Sequence, residues 1–282
     1  MITRDLDSFA DGSSAPKMPD GAVAVECKHA LSRSRLPGLD FALNPYVGCG
    51  HDCVYCYAPF LLNKPRELWS RPIGARINMP RLLDRDLRGV SGVIGIGTVT
   101  DPYQPIEAPL RLTRRCLEAI HRRGARVSIH TKSDLVLRDM GILKRIPEAE
   151  VGITLTTIDA DLAKAFEPFA PAPAVRLEAI RLLVKAGIRT YVLIGPIIPT
   201  VTDSEVEGLA SAISGTGVGM AMLDRFRIRP GMMDYLAGRE ALRTSQGRAF
   251  FERLSDRDYC LTAEESLAKS LRRNGVAVEQ AF

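Results

Sequence analysis

Asn44-Pro45-Tyr46-Val47-Gly48-Cys49-Gly50-His51-Asp52-Cys53-Val54-Tyr55-Cys56 holds three of the chain's six cysteines within eight residues, spaced C-x3-C-x2-C. Three thiolates this close on a polar loop suit three irons of a cubane cluster, whose fourth iron then keeps an open position for an exogenous ligand. A zinc site asks for four protein ligands, and His51 is the available fourth. Yet no second C-x2-C pair stands elsewhere in the chain to complete the usual two-knuckle arrangement. Purely structural cysteines rarely sit between glycine and aspartate on a polar loop. A disulfide framework fits poorly with a chain of this size and no export signal. The spacing therefore predicts an iron–sulfur cluster on Cys49, Cys53 and Cys56.

Working outward, 282 residues suffice for one large α/β domain. Hydrophobic content of 46% and charged content of 25% are those of an ordinary globular protein. No apolar run approaches the roughly 18 residues of a membrane-spanning helix, so no membrane association is expected. Residues 1–19 are polar with no apolar h-region, so no secretory signal is expected. Clustered cysteines then point to a reducing cytoplasm. The net charge of +5, from 38 basic and 33 acidic residues, permits an acidic partner such as nucleic acid without requiring one.

Residues 1–21 read as a flexible arm rich in Asp, Ser, Gly and Pro. Residues 22–25 read as a short strand, and Phe41-Ala42-Leu43 as the strand that feeds the cysteine loop. Strands are then expected at 90–98, 125–131, 150–156, 188–194 and 218–228. Helices are expected between them at 78–88, 110–123, 134–145, 159–167, 173–186 and 203–214, with Thr202 capping the last. Six such βα units predict a parallel sheet with helices outside, a partial (β/α)6 barrel of TIM type spanning 22–232. Residues 233–282 carry helical periodicity and read as a C-terminal extension of two or three helices. Lone Cys27 and mid-helix Cys116 are expected in the core. The basic segment with Lys64, Arg66 and Arg71 contains Trp69, the chain's single tryptophan, which is expected to plug the core rather than stack on a nucleotide.

In such folds the chemistry gathers at the C-terminal strand ends. There the chain places Thr98-Val99-Thr100-Asp101-Pro102-Tyr103-Gln104-Pro105-Ile106-Glu107, a run unusually polar for a buried strand end. His130-Thr131-Lys132-Ser133 follows the third strand, and Lys132 is suited to pairing a carboxylate. Thr154 and Thr156, two apart, are expected to share one face. Gly195-Pro196-Ile197-Ile198-Pro199 suits close approach to a flat ring.

These strings give the chain a resemblance to the radical SAM superfamily, whose signature C-x3-C-x-aromatic-C is filled here with Tyr55 in the aromatic slot. Asn44-Pro45-Tyr46, Thr100-Asp101-Pro102-Tyr103-Gln104-Pro105, Thr131-Lys132-Ser133 and the segment 176–199 narrow it to the spore photoproduct lyase-like branch, over roughly residues 25–230. The resemblance implies that Cys49, Cys53 and Cys56 bind a [4Fe-4S] cluster. It implies that S-adenosylmethionine is a cofactor, contacted by Tyr55, Thr100, Lys132, Thr154 and Thr156. One electron would cleave a C–S bond and release a hydrogen-abstracting 5′-deoxyadenosyl radical. An external one-electron reductant, flavodoxin- or ferredoxin-like, is implied as partner. Nucleic acid is the favoured substrate, and a monomer is expected. The spore lyase uses a cysteine near the end of the second strand as hydrogen donor; Thr98 stands in that place here. An O–H is a far poorer hydrogen-atom donor than a thiol, so photoproduct repair does not carry over. The alternatives are modification of a peptide or small metabolite, and a non-catalytic iron–sulfur electron carrier.

Overall fold

A computed structural model describes residues 18–239 and 242–281. The arm expected at 1–21 falls almost wholly outside the described residues. The strands are β1 Ala22–Val25, β2 Ser32–Arg33, β3 Phe41–Leu43, β4 Tyr46–Val47, β5 Ile73–Arg76, β6 Val93–Ile96, β7 Arg126–Thr131, β8 Glu150–Thr154, β9 Arg189–Ile197, β10 Met220–Arg225 and β11 Ala277–Gln280.

Eight of them form one sheet in the order β11-β10-β9-β8-β7-β6-β3-β2. Every pairing from β3 to β11 is parallel, and only β2 at one edge runs antiparallel. The sheet is open, with β11 and β2 as its edges, so the six expected barrel strands are present in an unclosed arrangement. Its strands are short apolar runs because helices cover them and leave little room for polar side chains. Ile94, Ile96, Val127, Ile129, Val151, Ile153, Val192 and Ile194 are wholly buried in this core. Leu117 and Ile120 of the helix Leu112–Arg123, Leu183 of Pro173–Lys185 and Leu271 of Arg257–Arg273 join the same core.

Several elements differ from the sequence expectation for identifiable reasons. The helix expected at 110–123 is broken at Arg111, whose φ of 50° is left-handed, and it ends at Gly124 with φ 66°. The stretch expected as one helix at 134–145 is a 3₁₀ turn, Asp134–Asp139, followed by the short helix Met140–Leu143. Asp139 there accepts from Arg114 and Tyr103, which pins the chain in mid-element. Thr202 caps no helix; its Oγ1 accepts from Ile198 N at 2.9 Å, and the next helix is Val206–Ser214. Three helices do follow residue 231, at Met232–Ala237, Ser245–Leu254 and Arg257–Arg273. The chain then returns as β11 to extend the main sheet beside β10. Helices alone therefore do not describe 233–282. Trp69 is buried and Cys116 fully so, as expected of core residues.

A small sheet, β1-β5-β4, sits beside the large one and delivers the chain from β4 into the cysteine loop. A second core lies beneath that loop. Cys53, Val54 and Tyr55 pack there with Phe166, Ile198, Met232, Leu236, Leu242, Phe250 and Leu254.

Candidate active site

The cysteine loop leaves β4 through Gly48, whose φ of 86° is left-handed and whose missing Cβ would collide with the Trp69 carbonyl. Neighbouring elements then clamp it. Cys49 N donates to that same Trp69 carbonyl at 3.0 Å. Gln104 holds two points at once: its Oε1 accepts from Gly50 N at 2.7 Å and its Nε2 donates to Gly48 O at 3.2 Å. Arg66 donates to Asp52 Oδ1 at 2.7 Å and to Cys53 O at 3.0 Å. On the far side Val54 N donates to Phe166 O at 2.8 Å and Phe169 N to His51 O at 3.3 Å.

Cys49, Cys53 and Cys56 line one cleft of about 280 Å³. Burial, with Asp101 adding to it, pushes the Cys49 thiol up to about 12. Burial raises Cys53 well above its ordinary value against the pull of Lys132, and raises Cys56 against the Ala58 N–H and Arg66. Such thiols ionise only beside a strong positive charge, which iron supplies. Among the described residues no three His, Cys, Asp or Glu side chains gather around a single ion position. His51 instead sets Nδ1 3.3 Å from Asp101 Oδ2. In a cubane each thiolate binds its own iron, so the three sulfurs need not converge on one ion position. The donor set, three thiols facing an open cleft, fits the cluster.

Of the other residues singled out in the sequence, Tyr55, Thr100, Lys132 and Thr154 line the same cleft. Thr156 does not. β8 ends at Thr154, the alternation stops with it, and Thr156 Oγ1 turns to Glu167 Oε1 at 3.3 Å. Asp101 ties the strand ends to the loop. Its oxygens accept from Thr131 Oγ1 at 2.6 Å, Lys132 N at 2.7 Å and Tyr103 N at 2.9 Å, besides facing His51. Burial would raise this carboxyl, but His51 and the hydrogen bonds outweigh it and hold it at about 2. The Lys132 ammonium lies 5.6 Å from the centre of the Tyr55 ring. Burial disfavours its charge, but Cys53 and Glu167 more than compensate and raise its pKa.

The match to known proteins follows this geometry. Residues 43–213, more than half of the chain, match the family model described as the radical SAM superfamily. The chain belongs to the radical SAM superfamily. Membership implies an iron–sulfur cluster and S-adenosylmethionine. An uncharacterized protein of Methanocaldococcus jannaschii is 37% identical over 184 residues, 65% of this chain and 70% of its own length. One of Mycobacterium tuberculosis is 30% identical over 214 residues, 69% of this chain and 62% of that protein, so the chain spans under two thirds of the mycobacterial relative. Among solved structures, a cysteine-to-serine variant of spore photoproduct lyase superposes with a TM-score of 0.69 at 14% identity, covering 92% of this chain and 82% of that one. Streptococcus suis SuiB bound to S-adenosylmethionine gives a TM-score of 0.52 at 14% identity over 86% of this chain and 50% of that one. At such identities the shared property is the fold.

Sequence reading missed several residues in and around this cleft. Glu167 and Arg176 form an ion pair at 2.5 Å, both buried, and Glu167 also accepts from the Tyr55 hydroxyl. Burial opposes the Glu167 charge, but Arg176 and Lys132 overcome it and lower its pKa. Arg225, Arg227 and Arg229 line the cleft from the end of β10, with Arg225 paired to Glu264 and Arg227 to Asp224. Their spacing of two, read off a strand end, was the available signal. Glu167 gave none, since its partners lie on three separate elements. Thr98 lines the cleft, and its Oγ1 accepts from Asn44 Nδ2 at 3.1 Å.

Proposed function

We propose that Cys49, Cys53 and Cys56 hold a [4Fe-4S] cluster through three of its irons. S-adenosylmethionine fills the adjoining cleft against Tyr55, Thr100, Lys132 and Thr154. The observation that carries this reading is that all three loop thiols line one cleft together with a lysine and strand-end hydroxyls. When bound, the cluster and S-adenosylmethionine supply reductive C–S cleavage that yields a hydrogen-abstracting 5′-deoxyadenosyl radical.

The chain's own residues bind, orient and shield. Lys132 keeps its ammonium charged and offers it to a carboxylate. Glu167 fixes the Tyr55 ring by accepting a hydrogen bond from its hydroxyl, and the Lys132 ammonium lies 5.6 Å from the centre of that ring. Asp101 fixes His51 of the loop and Lys132 of the strand end relative to each other. Leu193, Pro196 and Phe226 give the cleft an apolar wall that limits water, which a radical reaction requires. Thr98 offers an O–H and no thiol, so photoproduct repair is not part of the proposal.

The substrate class we favour is nucleic acid. Three arginines at the cleft rim support it, because guanidinium forks suit phosphodiesters even when partly paired. Spore photoproduct lyase, which shares the fold, has been solved with a dinucleoside spore photoproduct. Binding of single-stranded DNA or RNA that weakens steeply with salt is expected. Absent or salt-insensitive binding moves the substrate to a peptide or small metabolite. A one-electron protein donor, flavodoxin- or ferredoxin-like, and a reducing cytoplasm complete the reading.

The test is anaerobic reconstitution followed by dithionite and S-adenosylmethionine. 5′-Deoxyadenosine is expected from the native chain and none from Cys53→Ala. An intact cluster that neither binds S-adenosylmethionine nor yields this product would establish an electron carrier instead.

A further inference from the structure

Beside the cleft lies a second cavity, of about 230 Å³. It opens between the end of β9, the end of β10 and the first turns of the helix Arg257–Arg273. Arg225 and Phe226 line both spaces, so the two adjoin across one shared wall. That wall is held in place from behind. The Phe226 ring packs against Phe250 of the second core, with centroids 5.6 Å apart. Arg225 holds Glu264 through Nε and one terminal nitrogen, and Gln280 braces Glu264 in turn.

The lining of the second cavity divides by chemistry. Ile197, Pro199, Leu254 and Leu261 give it an apolar body beside the Phe226 ring. Arg225 and Arg257 give it two exposed cations, and no carboxylate lines it among the described residues. Asp256, the acid beside Arg257, is engaged elsewhere: it accepts from Tyr259 N at 3.0 Å and pairs with Arg253 at 2.9 Å. Arg257 has no ion-pair partner among the described residues, and Glu264 leaves the other terminal nitrogen of Arg225 open to a ligand. Such a lining suits an occupant with a flat apolar body and an anionic edge. A nucleotide has both, since a base stacks on an aromatic ring and a phosphate accepts from guanidinium forks. An acidic peptide would match the arginines but bring no flat face to Phe226.

We propose that this cavity is a second substrate subsite, which binds the nucleotide next to the one that reacts in the cleft. Arg225, on the shared wall, takes the phosphate between the two nucleotides, and Arg257 takes a phosphate on the far side. This rests on the nucleic-acid reading proposed above. The chain then recognises a stretch of strand through residues of its C-terminal helix, away from the cysteine loop.

The experiment uses the reconstituted full chain with S-adenosylmethionine and no reductant. Thymidylate and uridylate strands of increasing length, from the mononucleotide upward, compete against a fluorescent oligonucleotide. Affinity should rise about ten-fold from mononucleotide to dinucleotide, as one more stacked base and phosphate contact demand. Arg257→Glu changes an exposed residue in the first turn of its helix, where an acid is well placed, so the fold is kept. It should remove most of that step and lower the salt slope by about one. Leu261→Trp, which fills the cavity, should remove the step as well, with S-adenosylmethionine bound as tightly as by the native chain. A step that survives in both variants, or is missing from the native chain, would overturn the subsite. Weakening of S-adenosylmethionine binding to the same extent would also overturn it, because the variants would then act on the cleft. So would displacement by an acidic peptide that both variants weaken, with the nucleotide step untouched. A native chain that binds no fluorescent oligonucleotide at all would defeat the nucleic-acid reading itself, and the two failures are thereby told apart.

Discussion

Glu167 is a carboxylate with no water to turn to, held by the Arg176 guanidinium and the Tyr55 and Thr156 hydroxyls. Glu167→Gln leaves Arg176 buried without its counter-charge. It should cost about 3–5 kcal/mol in urea or thermal unfolding, while Glu167→Gln combined with Arg176→Met should recover much of that. Asp101 makes a pH prediction. Its carboxyl titrates near 2 in the folded chain, below its ordinary range, so its stabilisation is present above pH ~4 and is lost as pH falls toward 2. A shift of that size corresponds to about 2 kcal/mol, and Asp101→Asn should flatten the acid limb of an unfolding-versus-pH curve. The residues that announced themselves in the sequence were those with a local pattern: three cysteines in eight positions, and a lysine at a strand end. Gln104 stood in the polar run after the second strand and Arg66 in the basic segment, but neither pattern says which backbone each grips, and Glu167 left no trace because its partners come from other elements. Thr156 shows the opposite failure, a sound local pattern extended past the point where its strand stops.

At the scale of elements, the parallel strands were legible because they are short, buried apolar runs, and because glycine and polar clusters punctuate them. β4 and β5 were not, since two or four residues carry too little pattern and their pairing is decided by contacts with β1 and with each other. β11 was missed for a related reason. It is four residues long, mostly exposed, and becomes a strand only because β10 offers it an edge. It also braces the cleft rim, for Gln280 Nε2 donates to Glu264 Oε1 at 2.6 Å and Glu264 holds Arg225. Deleting residues 277–282 should lower the melting temperature and weaken nucleic-acid binding. Arg227→Gln should weaken binding with little loss of stability and reduce the salt slope by about one.

At the scale of the molecule the described residues form a main core, a second core that holds Cys53, Val54 and Tyr55 of the cysteine loop, and a small third cluster around Tyr46 and Ile73. The main core of strands and covering helices could be laid out from the sequence; the second could not, because it joins residues near 53, 166, 198 and 250. The two should respond differently to cavities. Phe250→Ala and Leu271→Ala each remove a wholly buried side chain and should each cost a few kcal/mol, about 2–5. Only Phe250→Ala is expected to lower the iron bound per chain after reconstitution, since it packs under Cys53 and Tyr55. Equal iron content in the two variants would show that the loop keeps its shape without that support.

The second core also fixes an order of events in the cell. Phe250 and Leu254, which close the hydrophobic floor beneath the three cysteines, are made nearly two hundred residues after them. At ordinary elongation rates that gap lasts on the order of 10–40 s. Throughout it the thiols ride on a nascent loop without its floor, open to stray metal and to oxidants. Under the cluster assignment proposed above, a carrier that acts once Phe250 and Leu254 have been made finds the site built.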